Sequence, residues 1–141
     1  MKKIIVVVAF ACLTNVCLAQ ADAKPKKFDN PRWKQVVYVD FYEGKHERAY
    51  AIIVEFEKAA KKAGTPSPEM ALELWSGPWD MLLVWNMKGG LEDLNWENSP
   101  DNISWMKALG EVAGGEDKAK ALITEYQSLV ARSSVEWAKV H

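Results

Sequence analysis

The chain has only two cysteines and two histidines in 141 residues, and both cysteines, Cys12 and Cys17, fall in its first 17 positions. His46 and His141 stand alone, and no H-E-x-x-H or cysteine-pair spacing exists to hold a metal ion. No G-x-S-x-G elbow occurs, so a serine nucleophile has no platform. Phosphate-cradling glycine motifs are absent too; Gly89-Gly90 and Gly114-Gly115 read as punctuation at element boundaries. Asn102-Ile103-Ser104 matches a glycosylation sequon inside an expected helix and is treated as a chance match. Excess positive charge is missing as well, and with it the basic stripe that nucleic acid would require. No cofactor or metal is expected.

The only long apolar run lies at the start. Lys2 and Lys3 precede Ile4 to Leu13, an apolar stretch of about ten residues, too short to span a bilayer. Two small-x-small sites follow. Cys17-Leu18-Ala19 fits cleavage before Gln20, and Ala19-Gln20-Ala21 fits cleavage before Asp22. Residues 1–21 are therefore expected to be a signal peptide, giving a secreted or periplasmic protein without a membrane span. Neither cysteine follows a Leu-small-small triplet, which argues against a lipid anchor. Cleavage removes both thiols and leaves 16 basic against 19 acidic residues, a net charge of −3. The mature chain must then be stabilised by packing alone, which about 120 residues can supply. Lys24, Lys26 and Lys27 around Pro25 suit a solvated linker over 22–32, with one domain over 33–141.

Within the domain, apolar residues are plentiful and patterned. A first strand is expected over Trp33–Tyr42, with Val37, Val39 and Phe41 on one face and Val36, Tyr38, Asp40 and Tyr42 on the other. His46–Ala63 has helical periodicity in Ala49, Ile52, Ile53, Phe56, Ala60 and Ala63, with Gly64 as its stop and Glu57–Lys61 as an i,i+4 pair outside. A hairpin follows: strands Glu69–Trp75 and Trp79–Met87 around Ser76-Gly77-Pro78. Its second strand is apolar on both faces, Met81, Leu83, Trp85 and Met87 against Leu82 and Val84. Leu91–Trp96 suits a short helical turn. Ser99 and Pro100 begin a helix expected to stop at Gly110, then come a helix over Glu116–Ala131 and a last strand over Ser134–Val140.

The order is β-α-β-β-α-β with an extra helix before the last long one, the ferredoxin-like arrangement of an α+β protein. Helices can cover one sheet face. The other would expose more apolar surface than a monomer usually tolerates, so a second copy is expected to cover it. The VVYVDFYEGK strand, the KKAG helix end, the WSGPWDMLLVWNM hairpin and the SSVEWAKV strand together resemble the dimeric α+β barrel superfamily. That resemblance implies a homodimer. The family resembled includes cofactor-free monooxygenases, haem-degrading and haem-using enzymes, lactone isomerases and secreted members without assigned activity, so fold narrows function little. The haem-degrading branch uses an asparagine in its first strand, and VVYVDF has none.

Seven tryptophans suit either an interface or a pocket for a planar ligand. Tyr38, Trp85, Asn86 and Trp105 are the candidate lining residues. Asp40, Glu73 and His46 are the candidate acid-base groups, with His46 also the one candidate haem ligand. Asp40 and Glu73 have a plainer alternative: wet strand edges or pairing with Lys34 or Arg48. Asp80 suits a turn residue making a local hydrogen bond. Three readings remain open: binding of a small apolar or aromatic molecule or a structural role without catalysis; cofactor-independent oxygenation or isomerisation of a planar phenolic or enolic substrate; and haem binding with His46 as the axial ligand.

Overall fold

The computed structural model describes residues 24–141. The expected signal peptide and both cysteines lie outside the described residues. The chain divides after Asn30 into two units, of which Pro31–His141 is compact and described throughout. The described part of the first, residues 24–30, is exposed and without helix or strand, and contains a Lys26–Asp29 ion pair at 3.2 Å. No described helix is long and apolar enough to cross a membrane.

The second unit is an α+β fold of ferredoxin-like topology: β1 (Arg32–Phe41), α1 (His46–Ala63), β2 (Met70–Glu73), β3 (Met81–Met87), a 3-10 turn (Gly90–Asn95), α2 (Pro100–Ala113), α3 (Glu116–Leu129) and β4 (Val130–Val140). The sheet order is β2-β3-β1-β4, with every neighbouring pair antiparallel. Val39 of β1 lies opposite Met81 of β3, and Val37 opposite Leu83. This register puts the apolar sets of both strands on one face, against the helices. The core there joins Val39, Phe41 and Met81 to Ala49, Ile52 and Leu129, and a second cluster joins Ala59, Ala108, Leu109 and Ala119 where the helices meet.

α1 forms where its periodicity places it. Gly64 ends it in the left-handed region at φ 67°, and its N–H donates back to the carbonyls of Ala60 and Lys61. Glu57 and Lys61 make no ion pair; Glu57 instead borders a cavity described below. At α2 the cap is as expected, with Ser99 Oγ accepting from Asn102 N at 3.1 Å and Pro100 in the first position. The helix does not stop at Gly110. It continues to Ala113, because a glycine inside a helix costs only about 1 kcal/mol, whereas Gly114 adopts the left-handed conformation that ends one.

Strand limits also shift. β2 ends at Glu73, two residues early, since the chain there turns and leaves Trp75 92% exposed. β3 begins at Met81, although Asp80 still bonds both neighbours: its N–H donates to Val39 O at 2.9 Å, and its carbonyl accepts from Leu74 N at 2.7 Å. β4 begins at Val130 rather than Ser134. Pairing with Phe41 across a register shift at Asp40 captures residues that helical periodicity assigns to α3. β-branched Val130 favours the strand.

Candidate functional site

The helices do not cover the helix-side face of the sheet evenly. A partly open cavity of about 920 Å³ remains between β2 and β3, α1, the 3-10 turn and the start of α2. α1 shows it a second stripe, Tyr50, Ile53, Val54 and Glu57, beside the one that enters the core. Trp85 rises from the sheet into the lining, Trp105 comes from α2 and Trp96 from just before it.

The inner wall is a train of aromatic rings. Phe56 meets Trp105 and Tyr126 edge-to-face, each with centroids 5.4 Å apart. Trp105 is further pinned by its indole N–H, which donates to Phe56 O at 3.1 Å. Phe41 continues the train toward Tyr50 and His46 at 6.0 and 5.8 Å. Burial raises the Tyr126 phenol above its ordinary value. Burial also raises Tyr50, and the carboxylates of Glu73 and Asp80 add to the effect. Both phenols are therefore neutral hydrogen-bonding groups near pH 7. Thr65 Oγ1, in the lining, is buried with no hydrogen-bond partner, an exception to the usual pairing of buried polar atoms.

Of the four expected lining residues, Trp85 and Trp105 meet in this cavity. Asn86 borders it, but its Oδ1 accepts from Lys34 Nζ at 3.3 Å, and the register puts both residues on the sheet's opposite face. Tyr38 lies on that opposite face and meets Trp79 at a tilt of 39°, with ring centroids 5.7 Å apart. Strand alternation makes Tyr38 and Trp85 incompatible as walls of one pocket, because odd and even positions of paired strands diverge.

The acid-base candidates separate similarly. Glu73 lines the cavity and has no ion-pair partner among the described residues. Asp40 pairs with Arg132 at 2.8 Å, not with Lys34 or Arg48. Arg48 instead holds Glu125 at 2.6 Å, and Lys34 holds Glu69. Arg132 also donates to Pro78 O and lies 4.6 Å over the Trp79 ring. His46 Nε2 lies 3.0 Å from Asp80 Oδ2, the same oxygen that accepts from Phe41 N at 2.7 Å. Asp80 thus joins β1, the start of α1 and the hairpin, well beyond a local turn bond. Partial burial alone would raise its pKa; the Phe41 N–H and His46 outweigh that and hold the carboxyl below its usual value. Among the described residues no cluster of three metal-ligating side chains occurs.

Tyr50, Phe56, Trp96 and Tyr126 are lining residues that sequence reasoning did not single out. For Tyr50 a signal existed: with Ile53, Val54 and Glu57 it repeats at helical spacing beside the core stripe. Trp96 and Tyr126 become neighbours of the cavity only through packing.

No family model matches the chain, and no curated protein matches it in sequence. Solved structures do. A NIPSNAP family protein of unknown function from Agrobacterium tumefaciens superposes with a TM-score of 0.50 at 10% identity, over 77% of this chain and 87% of that one. A second NIPSNAP family protein from the same organism gives 0.47 at 15% identity, over 77% and 90% of the two chains. The first likeness supports the α+β fold, and at that identity it speaks of fold alone.

Proposed function

We propose that this is a secreted or periplasmic homodimer that binds a small planar, apolar or aromatic molecule. The observation that carries the binding reading is the aromatic cavity. Its volume of about 920 Å³ is in the range of small-molecule sites, and its walls are rings with a few polar groups between them. Trp105 and Phe56 are held by each other and by a hydrogen bond, so the wall is preorganised and little side-chain entropy is lost on binding. A neutral fluorescent probe, N-phenyl-1-naphthylamine, is expected to bind with enhanced emission. Trp85→Ala should weaken that binding by about tenfold, the loss of one stacked ring and its buried area. Absence of binding, or an unchanged affinity in a folded Trp85→Ala variant, removes the reading.

The dimer reading rests on the sheet face away from the helices. Val36, Tyr38, Leu82 and Val84 form its centre by register, and Met70 and Leu72 beside them are 49% and 44% exposed. The Lys34–Glu69 and Asp40–Arg132 pairs flank this strip. An apolar centre with charged flanks suits an isologous interface with a second copy. Light scattering with mass spectrometry on protein exported from its host is expected to give twice the mass of a chain starting at Gln20 or Asp22. A monomeric mass removes the dimer, and an uncleaved chain removes the export reading.

One observation favours catalysis instead: Glu73, a carboxylate without an ion-pair partner, shares the cavity with Tyr50. A cofactor-independent isomerase or monooxygenase acting on a phenolic or enolic substrate needs such a base beside an aromatic wall.

A further inference from the structure

The charges around the cavity are one-sided. Glu57, Glu73, Asp93 and Asp101 border it, against the single ammonium of Lys88. Asp93 is partly spent on Gly89 N, at 3.0 Å. Among the described residues Glu57, Glu73 and Asp101 have no ion-pair partner, although lysines and arginines elsewhere on the surface are engaged: Lys58 with Glu55, Lys62 with Glu111, Arg48 with Glu125. Three carboxylates from three separate elements, α1, β2 and α2, thus project their field into one concave, ring-lined space.

Besides Lys88, one feature could favour an anion, and it is weakened. The N-terminus of α2 reaches the rim, and helix N-termini attract negative charge. Here Pro100 supplies no N–H, Ser99 Oγ already accepts from Asn102 N, and Asp101 places a carboxylate in the first turn. A ligand carboxylate or phosphate would meet four acids against one ammonium, that of Lys88.

We propose that the cavity selects a cation, specifically a planar aromatic or heteroaromatic molecule bearing an amine or ammonium group. This rests on the reading of the cavity as a ligand site and adds the ligand's charge. The rings of Trp85, Trp96 and Trp105 line the space, and an indole attracts a cation through its quadrupole while burying the apolar part of a ligand. Glu57 and Glu73 supply the countercharge.

The test uses three ligands of one ring and differing charge: tryptamine, tryptophol and indole-3-propionate, titrated calorimetrically into the purified protein. Tryptamine is expected to bind about tenfold tighter than indole-3-propionate, with tryptophol between them. The spread should shrink at about 0.5 M salt, because the carboxylates are solvent-accessible. Glu57→Gln with Glu73→Gln should reduce the spread to about threefold or less; Glu57→Gln alone should give an intermediate spread. Indole-3-propionate binding as tightly as tryptamine overturns the charge selection, while continued binding of tryptophol and the neutral naphthylamine probe preserves the ligand site. Failure of all four molecules removes both.

Discussion

Ile52→Ala is expected to cost about 2–5 kcal/mol of folding stability, whereas Val54→Ala, two residues along the same helix, should change it by less than about 1 kcal/mol. Ile52 is fully buried and packs in the cluster that joins β1 and β3 to α1 and α3. Truncation there loses transfer free energy and leaves a void that rigid neighbours such as Phe41 and Leu129 can only partly fill. Val54 is 47% exposed and belongs to the stripe that faces the cavity. Denaturant titration of both variants measures the contrast. Equal costs would mean that the cavity stripe is packed as tightly as the core, and that the cavity is not open in solution.

Asp80→Ala is expected to lower stability by about 2–3 kcal/mol. It removes the acceptor of Phe41 N, a half-buried donor in β1, together with the partner of His46. A buried N–H left unpaired forfeits its full desolvation cost, which is why this loss exceeds that of an exposed ion pair. The effect carries a pH signature. A carboxyl whose folded pKa lies below its unfolded one contributes stability that is complete above the unfolded value and is lost as pH falls through the folded one. The gap between the native protein and Asp80→Ala should therefore be constant above about pH 5 and narrow below it. Asp80→Asn keeps an acceptor oxygen and should cost less than Asp80→Ala. A gap that widens toward acid would contradict the lowered pKa.

These two sites differ in how far sequence revealed them. Ile52 was visible from periodicity, since a helix of eighteen residues with apolar positions three and four apart has one dry side. Asp80 was visible only as a turn residue. Its partners are Phe41, 39 positions earlier, and His46, and no local pattern announces a contact made when a hairpin closes on another strand. The cavity divides along the same line. Trp85 belonged to a strand apolar on both faces, and Trp105 to a capped helix, so both were nameable in advance. Tyr38 was equally aromatic, but alternation puts it across the sheet from Trp85. That opposition follows from the register of β1 against β3, with Val37 facing Leu83.

The sequence by itself determined the element order, the limits of α1, the cap of α2 and the apolar character of both faces of β1 and β3. Each depends on periodicity or on residues within one turn of each other, and such signals are local. Only the tertiary structure decided that α2 runs through Gly110, that β4 claims Val130 from α3, and that Arg132 rather than Lys34 or Arg48 meets Asp40. It also decided that the helices leave β2 and β3 partly uncovered, so that aromatic rings and unpaired carboxylates share one space. These outcomes depend on which surfaces meet at long sequence separation, where burial and pairing outweigh the local preferences that a sequence displays.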